Sequence, residues 1–265
     1  MPVTDENRED RLMLESLVDE AAQIALSYFG NDPEVWWKEG DSPVSRADYA
    51  VNEFLQEKLL RERPDYGWLS EETDEKDQLI DNKRTFVVDP IDGTRGFING
   101  MKRWCVSVAI VEDNRPVVGV LSAPVIETTI SAASGEGTRV NEELCACCVP
   151  EEAGRIRMTG PKTFLASEDQ SYARIDKFPF VPSLAWRLAM VARGELHVAL
   201  ARGSAKDWDL AAADLIVEEA GGRLSDLNGA QLKYNCDEER SQGLLACAEP
   251  AHPELLKFVG QALAK

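Results

Sequence analysis

The segment that most constrains the fold is residues 87–97, V-V-D-P-I-D-G-T-R-G-F, where an apolar β-type run ends in two carboxylates. The proline between them lacks an N–H and has a fixed φ, so the chain turns rigidly at the strand end. Gly93 permits backbone conformations closed to other residues, and Thr94 is suited to cap a short helix whose amides suit a phosphate. Asp89 and Asp92 offer hard oxygen ligands, the type that Mg²⁺ prefers. Taken alone, an acidic helix-capping turn explains the same pattern, because Asp and Gly dominate turns.

Three other acidic residues lie close to the ends of predicted strands or helices. Glu71 comes directly after the strand-like run 68–70, which is also typical of a solvated strand end. Asp209 begins an alanine-rich helix, where its commonest role is an N-cap. Asp48 lies three residues after Ser45, as in a capping box. Together, carboxylates from separate strand and helix ends, one of them beside a threonine, favour a multi-metal phosphoryl-transfer site.

Hydrophobic periodicity divides the chain into alternating helices and strands. It predicts helices over residues 8–29, 46–63, 184–193, 209–220 and 253–264, the first of them stopped by Gly30 and by N-D-P at 31–33. It predicts strands over residues 85–88, 104–112, 116–124, 127–134 and 195–201, with a polar connecting segment over 135–160. This order indicates an α/β (α+β) fold of two lobes. Residues 1–150 would form an N-terminal α+β lobe with most of the candidate ligands, and 151–265 a C-terminal α/β lobe supplying Asp209 and the substrate loop.

The formal net charge of −18 over 265 residues limits the possible partners. Such a surface repels nucleic acid polymers, and it would repel a phosphorylated substrate unless cations offset the field locally. The acidity therefore favours a bound metal, although it could serve solubility alone. No apolar run approaches the length that spans a bilayer, and the first ten residues lack a secretory pattern. We expect a soluble cytoplasmic protein.

The six cysteines, among them Cys236, are expected to be reduced in that compartment. Cys145, Cys147 and Cys148 form the only cluster in the sequence. This cluster lacks the paired C-x-x-C spacing of a structural zinc site, and only two histidines are available to complete one. We expect no metal role for it.

On these residues, the chain resembles the inositol monophosphatase superfamily of Mg²⁺-dependent, lithium-sensitive phosphatases. The resemblance rests on Glu71 and Glu72, on D-P-I-D-G-T at residues 89–94, and on W-D-x-A-A at 208–212 followed by E-A-G-G at 219–222. It extends over nearly the whole chain, and the two longer motifs together are highly specific. The resemblance implies a layered αβαβα sandwich and a homodimer.

The resemblance also implies a set of metal ligands. Glu71, Asp89 and the backbone carbonyl of Ile91 would hold a first Mg²⁺. Asp89, Asp92 and Asp209 would hold a second, and a third, weaker ion would use Glu71 and water.

The remaining roles implied by the resemblance concern water and phosphate. Thr94, paired with Asp48, would orient and activate the attacking water, and the amides of Gly93 and Thr94 would bind phosphate oxygens. The implied reaction is a direct in-line attack of water on phosphorus, without a covalent enzyme intermediate. The ions would lower the pKa of the water, clamp the phosphate and neutralise the leaving alkoxide.

Within the resemblance, three arginines favour the 3′(2′),5′-bisphosphate nucleotidase branch of the superfamily. Arg187 falls where nucleotidases tend to carry Lys, Arg202 lies near the place of a Glu in inositol phosphatases, and Arg95 resembles a nucleotidase Lys. Basic residues there would meet a second phosphate. Ser183, in P-S-L-A at 182–185, belongs to the implied substrate-binding set. The predicted order is bisphosphate nucleotidase, then inositol-1-monophosphatase, then another sugar or histidinol-phosphate phosphatase.

Two other classes of protein compete with an enzyme. A non-catalytic regulator of the same fold would have lost a metal ligand, and none is lost here. A simple Mg²⁺- or Ca²⁺-binding protein would not need the water-activating pair of Thr94 and Asp48. The sequence therefore favours an enzyme acting on a small-molecule phosphate monoester, with neither a nucleic acid polymer nor a membrane as partner.

Overall fold

Two helices, α1 (Asp5–Tyr28) and α2 (Arg46–Glu62), form the first layer of the protein. The computed structural model describes residues 4–31, 34–38, 42–74, 78, 82–151, 154–161, 175–235 and 243–263. Thr4 caps α1 by accepting the backbone N–H of Asn7, and Ser45 stands at the N-cap of α2. An antiparallel hairpin joins the two helices and consists of β1 (Val35–Lys38) and β2 (Ser42–Ser45).

The second layer is a seven-stranded sheet whose strands lie in sequence order. Its strands are β3 (Gly67–Ser70), β4 (Arg84–Asp92), β5 (Cys105–Glu112), β6 (Arg115–Ala123), β7 (Thr128–Ala133), β8 (Thr138–Val140) and β9 (Glu143–Cys145). Among the described strands of this sheet, only β3 and β4 pair in parallel. The strand predicted over 85–88 was expected to end at Asp89, but β4 continues through a bulge to Asp92. Asp89 still pairs with Ser107 and Asp92 with Cys105. The bulge lets the strand carry both carboxylates to its end.

A second helix pair covers the other face of this sheet. It comprises α4 (Leu184–Ala192) and α5 (Asp207–Glu219), and the short helix α3 (Thr94–Ile98) precedes it in the chain. The alanine-rich face of α5 approaches β6 so closely that a Cβ added to Gly119 would lie 2.7 Å from the carbonyl oxygen of Ala212. Small residues on both elements therefore permit this close contact.

The fourth layer is a five-stranded sheet with the order β11-β10-β12-β14-β13. Its strands are β10 (Ile156–Thr159), β11 (Ile175–Lys177), β12 (Val198–Ala201), β13 (Gly222–Asp226) and β14 (Leu244–Ala248). Helix α6 (His252–Leu263) packs on β14 as the fifth layer. The segment 135–160, predicted to be connecting structure, contains β8, β9 and β10. That prediction was wrong because β8 and β9 are three-residue strands that mix polar and apolar side chains, too short to show a clear hydrophobic period.

The five layers confirm the predicted αβαβα sandwich. Apolar clusters lie between successive layers, from the α1–α2 layer down to the cluster beneath α6. The two-lobe division at residue 150 stays a prediction. The predicted turn residues Asp32 and Pro33, the last residue of the predicted terminal helix, Ala264, and the cysteine Cys236 lie outside the described residues. In the part of the chain that the structure describes, no helix is both long and apolar enough to span a membrane.

Candidate active site

Four of the predicted acidic residues meet at the carboxyl end of β4. Ligand oxygens of Asp89, Asp92 and Asp209 all lie within 4.8 Å of one another. Glu71 directly follows β3, and its N–H donates to the carbonyl of Val88 (3.2 Å) on the parallel neighbour β4. It lines the same cavity of about 330 Å³ as the three aspartates. Parallel pairing of two strand ends and the start of α5 therefore produce this cluster.

The electrostatics of Asp89 disfavour its charged form. Burial raises the pKa of Asp89 well above its usual range, and the charges of Glu71, Asp92 and Asp209 raise it further. A carboxylate in this position is unfavourable unless positive charge compensates it. Clustered carboxylate oxygens without a soft ligand fit Mg²⁺, so the residues present fit the implied metal.

Asp92 is held by the N-terminus of α4. Its carboxylate accepts the N–H of Leu184 (3.1 Å), the N–H of Ala185 (2.6 Å) and the hydroxyl of Ser183. Burial raises the pKa of Asp92, while these three hydrogen bonds oppose the rise. Ser183 also caps α4 by accepting the N–H of Trp186 (2.9 Å). Ser183, which was predicted to contact the substrate, is fully buried and donates its hydroxyl to Asp92, and its contact with substrate stays a prediction.

Thr94 lies in the same cavity, at the first position of α3. Its hydroxyl oxygen is 2.9 Å from the carbonyl oxygen of Ile91 and 3.4 Å from Oδ1 of Asp48. The structure therefore brings together the implied pair of Thr94 and Asp48. The expectation that Thr94 caps a helix was wrong, because Gly93 occupies the N-cap with a φ of +94°. A Cβ on Gly93 would lie 2.9 Å from the N of Ser183, so only glycine fits this turn.

The second oxygen of Asp48 is committed to the start of α2. It accepts the N–H (2.8 Å) and the hydroxyl (2.6 Å) of Ser45, so the predicted capping arrangement and the contact with Thr94 coexist. Burial raises the pKa of Asp48 to about 6, against the effect of the Ser45 hydrogen bonds and with a further rise from Glu72.

Asp209 likewise serves two purposes. The interpretation of Asp209 as the N-cap was wrong, because α5 begins two residues earlier and Lys206 occupies the N-cap; as the third helical residue, Asp209 accepts the N–H of Lys206 (2.7 Å) in a capping box. The same side chain also belongs to the acidic cluster. The start of α5 is tied to β5 by the hydroxyl of Ser107, which lies 3.4 Å from the carbonyl oxygen of Trp208.

The two predicted arginines lie in a second cavity that adjoins the first. Arg187 and Arg202 line a space of about 500 Å³ that shares Asp209 and Phe180 with the acidic cavity. Among the described residues, the buried Nε of Arg187 has no hydrogen-bond partner, and no ion pair within 4.0 Å involves either arginine, although the charges of Asp92 and Asp209 act on Arg187. Burial lowers the pKa of Arg187, while Asp92 and Asp209 oppose the change. This second cavity is suited to an anion.

Sequence reasoning missed two residues of this region. Phe180 lines both cavities, and the motif F-P-F at 178–180 carried no periodicity that would have singled it out. Cys105 lies behind Asp92, with its Sγ 3.5 Å from the hydroxyl of Ser183. Burial raises the pKa of the Cys105 thiol well above its usual range, so this group is inert packing.

Comparison with known proteins agrees with this geometry. The chain matches the inositol monophosphatase family over residues 6–262. It is 30% identical over 254 residues to the histidinol-phosphatase of Mycobacterium tuberculosis, which covers 90% of this chain and 95% of that protein. It is 28% identical over 230 residues to the 3′(2′),5′-bisphosphate nucleotidase CysQ of Aggregatibacter actinomycetemcomitans, with coverage of 83% and 85%. Its fold matches the IMPase of Thermotoga maritima with a TM-score of 0.82 at 25% identity, over 96% of this chain and 98% of that one. The chain therefore belongs to the inositol monophosphatase family and is a phosphatase that hydrolyses phosphate monoesters.

Proposed function

We propose that this phosphatase depends on two or three Mg²⁺ ions held by the carboxylates at the end of β4. Glu71, Asp89 and the carbonyl of Ile91 would hold the first ion, and Asp89, Asp92 and Asp209 the second. A third, weaker ion would use Glu71. The oxygens of the three aspartates within 4.8 Å of one another support this assignment, because such closely spaced carboxylates are costly without cations.

The protein's own residues would orient water and phosphate. When bound, the ions would lower the pKa of the water and neutralise charge on the phosphate and the leaving alkoxide. The Thr94 hydroxyl can accept a hydrogen bond from the attacking water while it donates to Asp48, which lies 3.4 Å away. The pKa of Asp48, raised to about 6, suits a group that accepts a proton near neutral pH. The amides of Gly93 and Thr94 would bind phosphate oxygens on the cavity wall.

For the substrate, we propose a 3′(2′),5′-bisphosphate nucleotide. The observation that carries this choice is the second cavity, where Arg187 and Arg202 lie beside Asp209 without a carboxylate partner among the described residues. In a chain with a net charge of −18, two such guanidinium groups near the reaction centre favour a second phosphate. Guanidinium groups bind phosphate through paired hydrogen bonds, and they retain their charge at any physiological pH.

Histidinol phosphate is the second candidate, because the relative from Mycobacterium tuberculosis carries that name. Its leaving group has an ammonium, which Arg187 and Arg202 would repel. Inositol 1-phosphate offers these arginines only hydroxyl groups. Both therefore fit the second cavity less well than a bisphosphate does.

A substrate panel tests the proposal. We expect kcat/KM with Mg²⁺ to be highest for adenosine 3′,5′-bisphosphate, compared with inositol 1-phosphate, fructose 1,6-bisphosphate and histidinol phosphate. Arg187→Gln should lower kcat/KM for the nucleotide by about 10-fold or more, because it removes a charge-assisted contact. Arg61→Gln, an exposed arginine of α2 paired with Glu62, is the matched control and should change nothing. A preference for inositol 1-phosphate or histidinol phosphate would overturn the substrate assignment.

Lithium inhibition and a homodimer are proposed from the family resemblance, and a cytoplasmic location from the expectation that the sequence composition gave. Phosphate release with and without Mg²⁺, and with added Li⁺, separates an enzyme from a regulator or a simple cation-binding protein. Light scattering during size-exclusion chromatography measures the oligomeric state, and cell fractionation the location.

A further inference from the structure

We propose that Phe180 is the stacking platform for the nucleobase of the substrate, an inference that rests on the proposed nucleotidase function. Phe180 lies in the segment between β11 and α4, and its side chain is 71% exposed. This is the largest exposed fraction among the large hydrophobic side chains that the structure describes. Its position, the rigidity of its segment and the shape of the substrate together support the role.

The position of Phe180 is at the junction of the two cavities. It lines the acidic cavity together with Thr94 and Asp209, and it lines the arginine cavity together with Arg187 and Arg202. A nucleoside bisphosphate carries both phosphates and its base on one ribose. A substrate whose phosphates reach both cavities therefore places its base within a few ångströms of their junction.

Phe178, two residues earlier, packs into the protein, whereas Phe180 is exposed. Phe178 packs against the central apolar cluster, its N–H donates to the carbonyl of Met158 (2.8 Å), and Arg103 lies over its ring at 5.4 Å. The Phe180 ring has no such ring or cation contact within the described part of the chain. A single exposed phenylalanine is common on protein surfaces, and what points to a ligand is the place of Phe180 in the lining of both cavities.

The backbone on both sides of Phe180 is anchored. Val181 is 1% exposed and belongs to the central apolar cluster. Pro182 packs against α3 so closely that a Cβ added to Gly96 would lie 2.4 Å from the Pro182 Cγ. The ring is therefore presented on a fixed segment, and ordering it on binding costs less than it would in a mobile loop.

Kinetics with a nucleotide and its base-free counterpart test the inference. Stacking of a base on an aromatic side chain corresponds to roughly 5- to 150-fold in affinity. We expect Phe180→Ala to raise KM for adenosine 3′,5′-bisphosphate about 10-fold with kcat nearly unchanged, and to leave KM for 1,4-anhydroribitol 3,5-bisphosphate unchanged. Phe180→Tyr should retain the wild-type KM for both. Leu144→Ala, which truncates a similarly exposed side chain on β9, is the matched control and should affect neither substrate.

Two results would overturn the inference alone. One is a wild-type enzyme that prefers the nucleotide while Phe180→Ala leaves its KM unchanged. The other is a Phe180→Ala variant that raises KM equally for the nucleotide and the base-free bisphosphate, which would indicate a structural role. A wild-type enzyme that does not hydrolyse adenosine 3′,5′-bisphosphate would overturn the proposed function, and this inference with it.

Discussion

Replacing Asp89 by asparagine is expected to abolish activity and yet to stabilise the metal-free protein. Oδ1 of Asp89 accepts the N–H of Ile91 (3.0 Å), and the asparagine oxygen can keep that hydrogen bond. The substitution removes the negative charge of the Asp89 carboxylate. Two unit charges 4.8 Å apart repel each other by about 3 kcal/mol at an effective dielectric constant of 20, and Asp89 faces both Asp92 and Asp209 within that distance.

Burial raises the pKa of Asp89, which favours its neutral form in the folded protein and reduces the repulsion that the substitution can relieve, so we expect the free energy of unfolding to rise by about 1–3 kcal/mol. The sign of the pH dependence follows from the raised pKa of Asp89 in the folded protein. The metal-free wild type gains stability from the protonated carboxyl below the pKa of the unfolded chain, and loses it as pH rises through the folded pKa. The advantage of Asp89→Asn should therefore be larger at pH 8 than at pH 4.

Urea unfolding in EDTA, followed by circular dichroism at both pH values, measures the difference in the free energy of unfolding between Asp89→Asn and the wild type. Asp214→Asn is the matched control, because Asp214 is equally buried but accepts hydrogen bonds from Arg115 (2.7 Å) and Tyr234 (2.9 Å). That substitution should destabilise by about 1–3 kcal/mol, since it weakens a compensated buried pair. A metal-free Asp89→Asn protein that is no more stable than the wild type at pH 8 would refute the reasoning. So would an active variant.

Three further substitutions separate chemistry, metal binding and packing. Thr94→Ala should lower kcat about 100-fold with little change in Mg²⁺ affinity by calorimetry, because it removes the hydroxyl beside Asp48; an unchanged kcat would contradict its role. Ser183→Ala should weaken Mg²⁺ binding about 10-fold, since it removes a donor that orients Asp92, and Ser183→Thr should restore it; equal affinities in all three proteins would count against that orientation. Gly119→Ala should lower the free energy of unfolding by about 1–3 kcal/mol, because the added methyl group overpacks against α5. The kcat at saturating Mg²⁺ should be retained. Unaltered urea unfolding would show that α5 can move away from β6.

Residues whose chemistry is local were predictable from the sequence. Asp89 and Asp92 follow a β-branched run and flank a proline, and Asp48 lies at capping distance from Ser45. Each of these patterns is complete within a few positions. The layer order was predictable as well, because long helices and apolar hairpins have clear periods, and the family resemblance supplied the way they stack.

Features that depend on distant contacts were not predictable. Ser183 has the chemistry of a substrate contact, and only the packing of α4 against the end of β4 shows that its hydroxyl points to Asp92. Phenylalanine is a residue type expected in the core, and only the structure shows that Phe180 is exposed and lines both cavities. The continuation of β4 through Pro90 depends on the bulge opposite β5. The conformational preferences of the residues near Pro90 do not predict this bulge.

The most direct test of the account is anomalous diffraction from crystals grown with Mn²⁺, which takes the same octahedral oxygen ligands as Mg²⁺. The account predicts at least two peaks at the end of β4, each about 2.1–2.2 Å from carboxylate oxygens, with Asp89 contacting both. Peaks bound elsewhere, or a carboxylate cluster that stays without metal at millimolar Mn²⁺, would contradict it.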